Sequence, residues 1–451
     1  MAENIRDLLI RAQSLASEYL ENTHSRAVAP TEEAVSALSE LKEALPTNGH
    51  RPEDTLDLMH RVGSPATFVT TDGRYFGFVT GGVLPGTLAA NWLSVAWDNN
   101  SAMRAQSPAT EALESVAAAW ILQLFDLPSN AAVGFVTGAT AANLSGLAAA
   151  RSHLLARLGW DVEARGLFGA PEIKVVVSDE VHVSVLKALS ILGLGRERLI
   201  RVPTDDQGRM RAELLPVLDA STILCVQAGN VNSGAFDPAA ELIAAARKAD
   251  AWVHVDGAFG LWACVSPGYR GLARPFLEAD SFATDGHKML NVPYDSGIVI
   301  VKNKEALARS FSTTAAYLED SAFDMFSFTP EFSRRARGIE IWAAIRTLGR
   351  SGLAALVERN CDFAKRTPDA LAGTGLTVPH NVVFNQVMLA AGTDEDTSRI
   401  LRAVQESGVC WFGGTKWHGR QAMRISFSAW NTTEPQFQLM LTAIRNAVRS
   451  I

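Results

Sequence analysis

The amino-acid sequence predicts an α/β protein: a mostly parallel central sheet with helices on both faces, followed by a small C-terminal α+β domain. Two observations carry this expectation. Between about residues 105 and 300, short apolar β-rich runs alternate with Ala- and Leu-rich stretches of helical length. Continuous apolar strands separated by helices belong to sheets covered on both faces. From about residue 370 the pattern changes, and shorter strand and helix signals follow one another.

Residues 1–60 read as helical, because Leu8, Leu9, Ala12, Leu15, Ala16 and Tyr19 recur at helical spacing. Thr31-Glu-Glu opens a second helix with an N-cap signature. The apolar runs are 133–136, 173–177, 223–226, 252–255 and 298–301, with helices expected at 140–158, 183–192 and 239–249. Residues 340–365 predict a long helix interrupted near Gly349 and Gly352. Strands at 382–389 and 422–428 then flank a helix near 395–407, and a last helix starts at about 435. The expected units are 1–104, 105–365 and 366–451: a helical segment, a large α/β domain and a small α+β domain.

Bulk properties exclude several classes. With 451 residues, 47 % hydrophobic and 20 % charged, the chain can bury a core without disulfides or metals. Its four cysteines, Cys225, Cys264, Cys361 and Cys410, lack CxxC or metal-ligand spacing and fit free thiols in a reducing compartment. The net charge of −7, without a basic tract, argues against nucleic acid. No long uncharged apolar run points to a membrane span. Glu3, Asp7 and Glu18 do not fit a leader peptide. The expectation is a cytoplasmic enzyme acting on a small molecule.

In open parallel sheets, ligands bind beyond the carboxyl ends of the strands. After 133–136 comes TGATAANLSGL, a small-residue turn into a helix, and a helix N-terminus offers free N–H groups to a phosphate. His182 follows 173–177, Asp256 ends 252–255, and His287-Lys288 follow Ser281-Phe-Ala-Thr-Asp-Gly. Singly these read as a structural turn, a hydrogen-bonded histidine, a capping acid and a surface lysine. Jointly they supply an amine, an aromatic ring, an anion and a phosphate cradle at one sheet edge. That set fits pyridoxal 5'-phosphate (PLP), whose aldehyde condenses with a lysine and whose pyridine nitrogen is kept protonated by a carboxylate.

The stretches GRYFGFVTGG, SPATEALE, TGATAANLSGL, SDEVHVSV, QAGNVNSGAFDP, HVDGAFG, DGHKMLNVPYDSG and SRRARGIEIW run in order through the chain. In order and spacing they resemble the group II PLP-dependent amino-acid decarboxylases, which have the aspartate-aminotransferase fold (PLP-dependent transferase fold type I). The resemblance extends from about residue 50 to the C-terminus. It implies that Lys288 carries PLP, His182 stacks on its ring, Asp256 pairs with the pyridine nitrogen and Ala258 packs on the other face. Ala139, Thr140 and His287 would hold the phosphate, with Asn230 near the cofactor. Gly349 would approach the phosphate from a second subunit, and Ser107-Pro108-Ala109 would reach the neighbour's substrate. The family therefore implies a homodimer with shared active sites, residues 1–104 supplying the dimer-contacting substrate loop and 105–365 the PLP domain.

Two departures matter. Asp285-Gly286 stands where several relatives have Asn-Pro, so Asp285 is expected to face away from the phosphate or pair with a cation. The family's loop tyrosine, a proton donor to the carbanion, aligns with Phe328, and the nearby phenol is Tyr317. The expected reaction is α-decarboxylation of an L-amino acid to the amine and CO2. Phe78, Trp92, Trp97 and Met103 favour an aromatic or bulky side chain, or else belong to the core. Arg334, Arg335 and Arg337 would serve an acidic substrate or form ion pairs. The alternatives are an aldehyde-forming oxidative variant, an aminotransferase-like enzyme and an inactive relative.

Overall fold

The computed structural model describes residues 5–312 and 324–451. The described residues contain ten strands: β1 Ala132–Val136, β2 Lys174–Ser178, β3 Ile200–Val202, β4 Thr222–Gln227, β5 Trp252–Asp256, β6 Ser281–Asp285, β7 Gly297–Val301, β8 Gln386–Leu389, β9 Gly413–Trp417 and β10 Arg420–Ser426. The first seven form one sheet in the order β1-β7-β6-β5-β4-β2-β3. Pairing is parallel from β3 to β6, whereas β7 runs antiparallel to both β6 and β1. The sheet is therefore mostly parallel, as expected, with β7 the reversed strand. Strands β1, β4, β5, β6 and β7 are buried along their whole length, which is why most of them read as unbroken apolar runs.

Contacts divide the chain into two units. One comprises Gly81–Arg366 and Val378–Met388 and contains the large sheet; the other comprises Met1–Thr80, Thr367–Thr377 and Leu389–Ile451. This differs from the sequential three-part division because the segment before residue 80 folds with the C-terminal residues. Tyr75 stacks on Trp411 at 5.2 Å, and Phe76 donates its N–H to the Trp411 carbonyl at 2.7 Å. The buried Phe76 ring also meets Phe427 edge-on. The small sheet has the order β8-β10-β9. A helix at Glu434–Arg449 follows, opened by a Thr433/Gln436 capping box.

In the large unit, helix Ala139–Arg157 lies across β5, β6 and β7. Its buried Ala142, Ser145, Gly146 and Ala149 allow close approach to the sheet. The predicted long helix spans Gly338–Ala370 and breaks at Gly349, whose φ of 61° and ψ of 179° are non-helical. Gly352 causes no such break. Positive φ costs a glycine little, which explains the residue chosen at 349.

Helix Pro108–Leu124 is anchored through a fully buried ion pair. Arg334 donates to both carboxylate oxygens of Glu114, at 3.0 and 2.7 Å, and Gly338 N–H adds a third bond. Removing one member strands the other charge without water. Glu114→Ala is expected to lower stability by about 3–5 kcal/mol, measured as an earlier urea midpoint. A loss under about 1 kcal/mol, the level of a surface pair, would refute that role.

Candidate active site

The carboxyl ends of β1, β2, β4, β5 and β6 point to one edge of the sheet, and the start of β7 joins them there. Lys288 follows β6 by three residues. Its Nζ lies 2.9 Å from Asp285 Oδ2, and the Phe259 ring is 6.0 Å away. The turn is held from behind by Gly81: a Cβ there would fall 1.8 Å from the Lys288 carbonyl oxygen, so only glycine fits.

Asp285 is almost fully buried, and its Oδ1 accepts the Ala139 N–H at 2.6 Å. The carboxylate therefore pairs with a cation, as expected, but it does so while occupying the first N–H of helix Ala139–Arg157. His287 lies 3.6 Å from the same oxygen. Its Nδ1 accepts the Ser296 N–H at 3.3 Å, and its ring stacks on Tyr294 at 4.2 Å. Burial lowers the His287 imidazole pKa from its usual value, opposed by the Asp285 charge. Gly138 precedes the helix, and a Cβ there would approach His287 Cε1 to 3.3 Å. Thr140 is half-buried beside it.

Asp256 ends β5, which pairs with β6 through Asp256↔Ala283. It is 5 % exposed, and its carboxylate accepts the Ala258 N–H at 3.3 Å. The Ala258 carbonyl in turn accepts the Asp285 N–H at 3.0 Å, tying the two strand ends together. His182 caps helix Val183–Ile191 beyond β2, and its Nδ1 is 2.8 Å from the Ser184 hydroxyl.

Lys288, His287, Asp285 and Ala139 are thus joined by direct contacts, and Asp256 and Ala258 by the strand-end bonds. Asn230 follows β4, but its side chain closes its own turn: Oδ1 accepts the N–H groups of Asn232 and Ser233 at 2.8 and 3.2 Å. Ser107 is buried and donates to the Asn100 carbonyl at 2.7 Å, while Pro108 and Ala109 are exposed. Around Gly349 a Cβ would meet no atom within 4 Å.

Phe328 lies in a packed turn. It is 5 % exposed, and its turn, Met325–Phe328, packs against β1. Lys304 Nζ lies over its ring at 5.4 Å, and its carbonyl oxygen lies within 2.2 Å of a Cβ placed on Gly134. Lys304 follows Val301, which pairs with Ala132 at the start of β1. Phe328 is therefore packed as a core residue within this chain. Tyr317 lies outside the described residues. The phenol that sequence reasoning passed over is Tyr294, half-way round the loop from Lys288 and 62 % exposed. Its place six residues after the lysine was the available signal.

The three arginines are all engaged. Arg334 holds Glu114, Arg335 bonds Glu340 at 2.5 Å, and Arg337 bonds Asp295 at 2.9 Å. Phe78, Trp92 and Trp97 are exposed rather than core. Among the described residues, no group of acids, histidines or cysteines is placed to hold a metal, and no helix is long and apolar enough to cross a membrane.

Comparison with known proteins agrees with this chemistry. The family model of the pyridoxal-dependent decarboxylase conserved domain matches residues 40–385. The chain is 27 % identical to the aromatic-L-amino-acid decarboxylase of Bacillus atrophaeus over 474 aligned positions, covering 98 % of this chain and 95 % of that one. Its fold matches the Oryza sativa TDC crystallised with PLP and tryptamine with a TM-score of 0.89 at 23 % identity, covering 100 % and 98 % of the two chains. The 4-hydroxyphenylacetaldehyde synthase of Rhodiola rosea matches with a TM-score of 0.86 at 21 % identity over the whole of both chains.

Proposed function

Because this chain belongs to the pyridoxal-dependent decarboxylases, with PLP as its cofactor, we propose that it converts an aromatic L-amino acid to the amine and CO2. The observation that carries this reading is the placement of the Lys288 amine and the buried Asp256 carboxylate at neighbouring strand ends. The residues fit the group. Lys288 would offer the amine that binds the aldehyde, and Asp256 would hold the proton on the pyridine nitrogen. His182 would cover the ring opposite Ala258, and the free N–H groups after Ala139 in helix Ala139–Arg157, with Thr140 and His287, would take the phosphate. Asp285 alone carries the wrong sign for a phosphate neighbour; in the chain without cofactor its pairing with Lys288 offsets that charge. When bound, PLP supplies the electron sink for the pair left as CO2 departs.

The aromatic preference draws support from the Bacillus relative and from the internal pairing of Arg334, Arg335 and Arg337, which engages them away from an acidic side chain. The active species is a homodimer with shared sites. Supporting this, Trp92, Leu93, Val95 and Trp97 on helix Pro85–Trp97 are 43 to 64 % exposed, an apolar surface suited to a second copy. Ser107–Ala109 and Gly349 are the segments assigned to the neighbour's site. A cytoplasmic location fits the four free cysteines, of which Cys225, Cys361 and Cys410 are buried.

The product test separates amine formation from the aldehyde-forming variant. A second reading is favoured by the residues 324–332, which contain no tyrosine. Incubation of the purified enzyme with each of the twenty amino acids is expected to release CO2 and amine in equal amounts, fastest from an aromatic substrate. Ammonia and peroxide in step with CO2 would support the oxidative variant instead, and no CO2 from any substrate would overturn both.

A further inference from the structure

A line of polar side chains runs beneath the candidate site, through the core between the sheet and helix Ala139–Arg157. Trp252 and His254 lie on β5, and His254 is two residues before Asp256, so both point to the same face of the sheet. The Trp252 indole donates to Ser281 Oγ at 2.9 Å, and Ser281 Oγ lies 2.8 Å from His254 Nδ1. His254 Nε2 is 2.8 Å from Asn143 Oδ1, and Asn143 Nδ2 donates to Ser184 Oγ at 3.1 Å. Ser184 Oγ is 2.8 Å from His182 Nδ1, to which the Ser184 backbone N–H also points at 3.3 Å. His254, Asn143 and Ser281 are completely buried. Gly146 makes room for the ring, since a Cβ there would fall 2.6 Å from His254 Cε1.

Both ends of this chain have fixed polarity. An indole N–H only donates, so Ser281 accepts from Trp252; the Asn143 amide oxygen only accepts, so His254 Nε2 carries a proton towards it. Burial pushes the His254 imidazole down to about 3, so the ring is neutral; Nδ1 is left to accept the Ser281 hydroxyl, with the single proton on Nε2. That proton goes to Asn143 Oδ1, the amide N–H goes to Ser184, and the Ser184 hydroxyl goes to His182 Nδ1. At the far end, a backbone N–H directed at the same Nδ1 requires a lone pair there as well. Every link agrees on one direction.

We infer that Asn143 and His254 are positioning residues for His182, holding its ring with the lone pair on Nδ1 and the proton on Nε2. The nitrogen on the far side of the cap is thereby kept a neutral hydrogen-bond donor. The tautomer follows from this chain's own bonds. Its effect on turnover rests on the reading of His182 as the residue covering PLP.

The test uses full-length protein labelled with ¹⁵N-histidine, with His182 resonances identified by their loss in His182→Gln. In the wild type, apoprotein and holoenzyme alike are expected to show His182 protonated on Nε2 only. His254→Phe removes the N–H that orients Asn143 and is expected to bring in the Nδ1–H form of His182. The same change should lower kcat by about 10- to 100-fold, as for a misaligned catalytic group, with KM changed less than about threefold. His254→Gln, which can again donate to Asn143, should recover the single tautomer and most of the rate. If His254→Phe does not fold, Ser184→Ala breaks the last link and is read in the same way. An Nδ1-protonated His182 in the wild type, or a chain-breaking variant with unchanged spectrum and kcat, overturns the inference. A wild type with the expected tautomer that decarboxylates no amino acid overturns the functional reading and leaves the relay standing.

Discussion

Lys288→Ala is expected to lose turnover by roughly 10⁵-fold, the advantage of an amine held in place over one arriving from solution. The loss should be in kcat, and the purified variant should lack the yellow colour of the wild type. Borohydride treatment of the wild type should bleach that colour and leave the cofactor on the peptide containing Lys288. An adduct on another lysine would refute the assignment. The substitution also removes the cation beside the buried Asp285 carboxylate, 2.9 Å away, so the variant should be less stable without cofactor as well. Mixed and refolded with a second inactive variant disrupted at 107–109, Lys288→Ala should regain part of the wild-type activity if sites are shared between subunits. Full activity in a demonstrated monomer would remove the basis for that sharing.

Asp256→Asn is expected to lower kcat on the order of 10³-fold while the protein still binds PLP and keeps its assembly. A nearby carboxylate raises the pKa of a cationic partner by about 1–3 units, and asparagine keeps the shape while removing the charge. The ring nitrogen would then lose its proton at the working pH, and with it most of its electron-withdrawing power. Absorbance titration of the bound cofactor gives an independent readout, because the transition should move in the variant. An Asp256→Asn enzyme that keeps most of its turnover would place the proton's support elsewhere.

Much of the large sheet was legible because its strands are largely buried, and five of them, β1, β2, β4, β5 and β7, carry a mainly apolar run. Strand β6 escaped notice although it is fully buried, since Ser281, Thr284 and Asp285 interrupt its apolar pattern. Each has a partner: Ser281 in the Trp252–His254 line, Thr284 at the Ala258 carbonyl and Asp285 at Ala139. Strand β3, with two of three residues exposed, and β9, which alternates, carry too little apolar signal. The candidate strand at 382–389 shrank to Gln386–Leu389 because Phe384 packs from a loop among Phe236, Phe259 and Tyr269 rather than in a ladder.

At the site, Asp256 and Lys288 were readable because chemistry-bearing residues at strand ends have few other uses. The role of Phe328 was not legible, because the segment before it has no periodicity to set a register and a buried phenylalanine resembles a displaced tyrosine in sequence. Asn143 and His254 were invisible for another reason. Each looks like an ordinary helix or strand residue, and their connection exists only once Gly146 has brought the helix against β5.

The reversal of β7 has a consequence for how the protein is made. Strand β1 reaches its place in the sheet by pairing Ala132 with Val301, and Ala139 meets Asp285 across 146 residues of sequence. The helix N-terminus leaves the ribosome long before the turn that completes it, so a nascent chain ending short of β7 has no finished pocket. Pairings this distant make folding slow. A ligand that recognises only the completed pocket acts by mass action on the finished state. PLP is therefore expected to stabilise the finished state and to leave the earlier steps of folding to the chain alone.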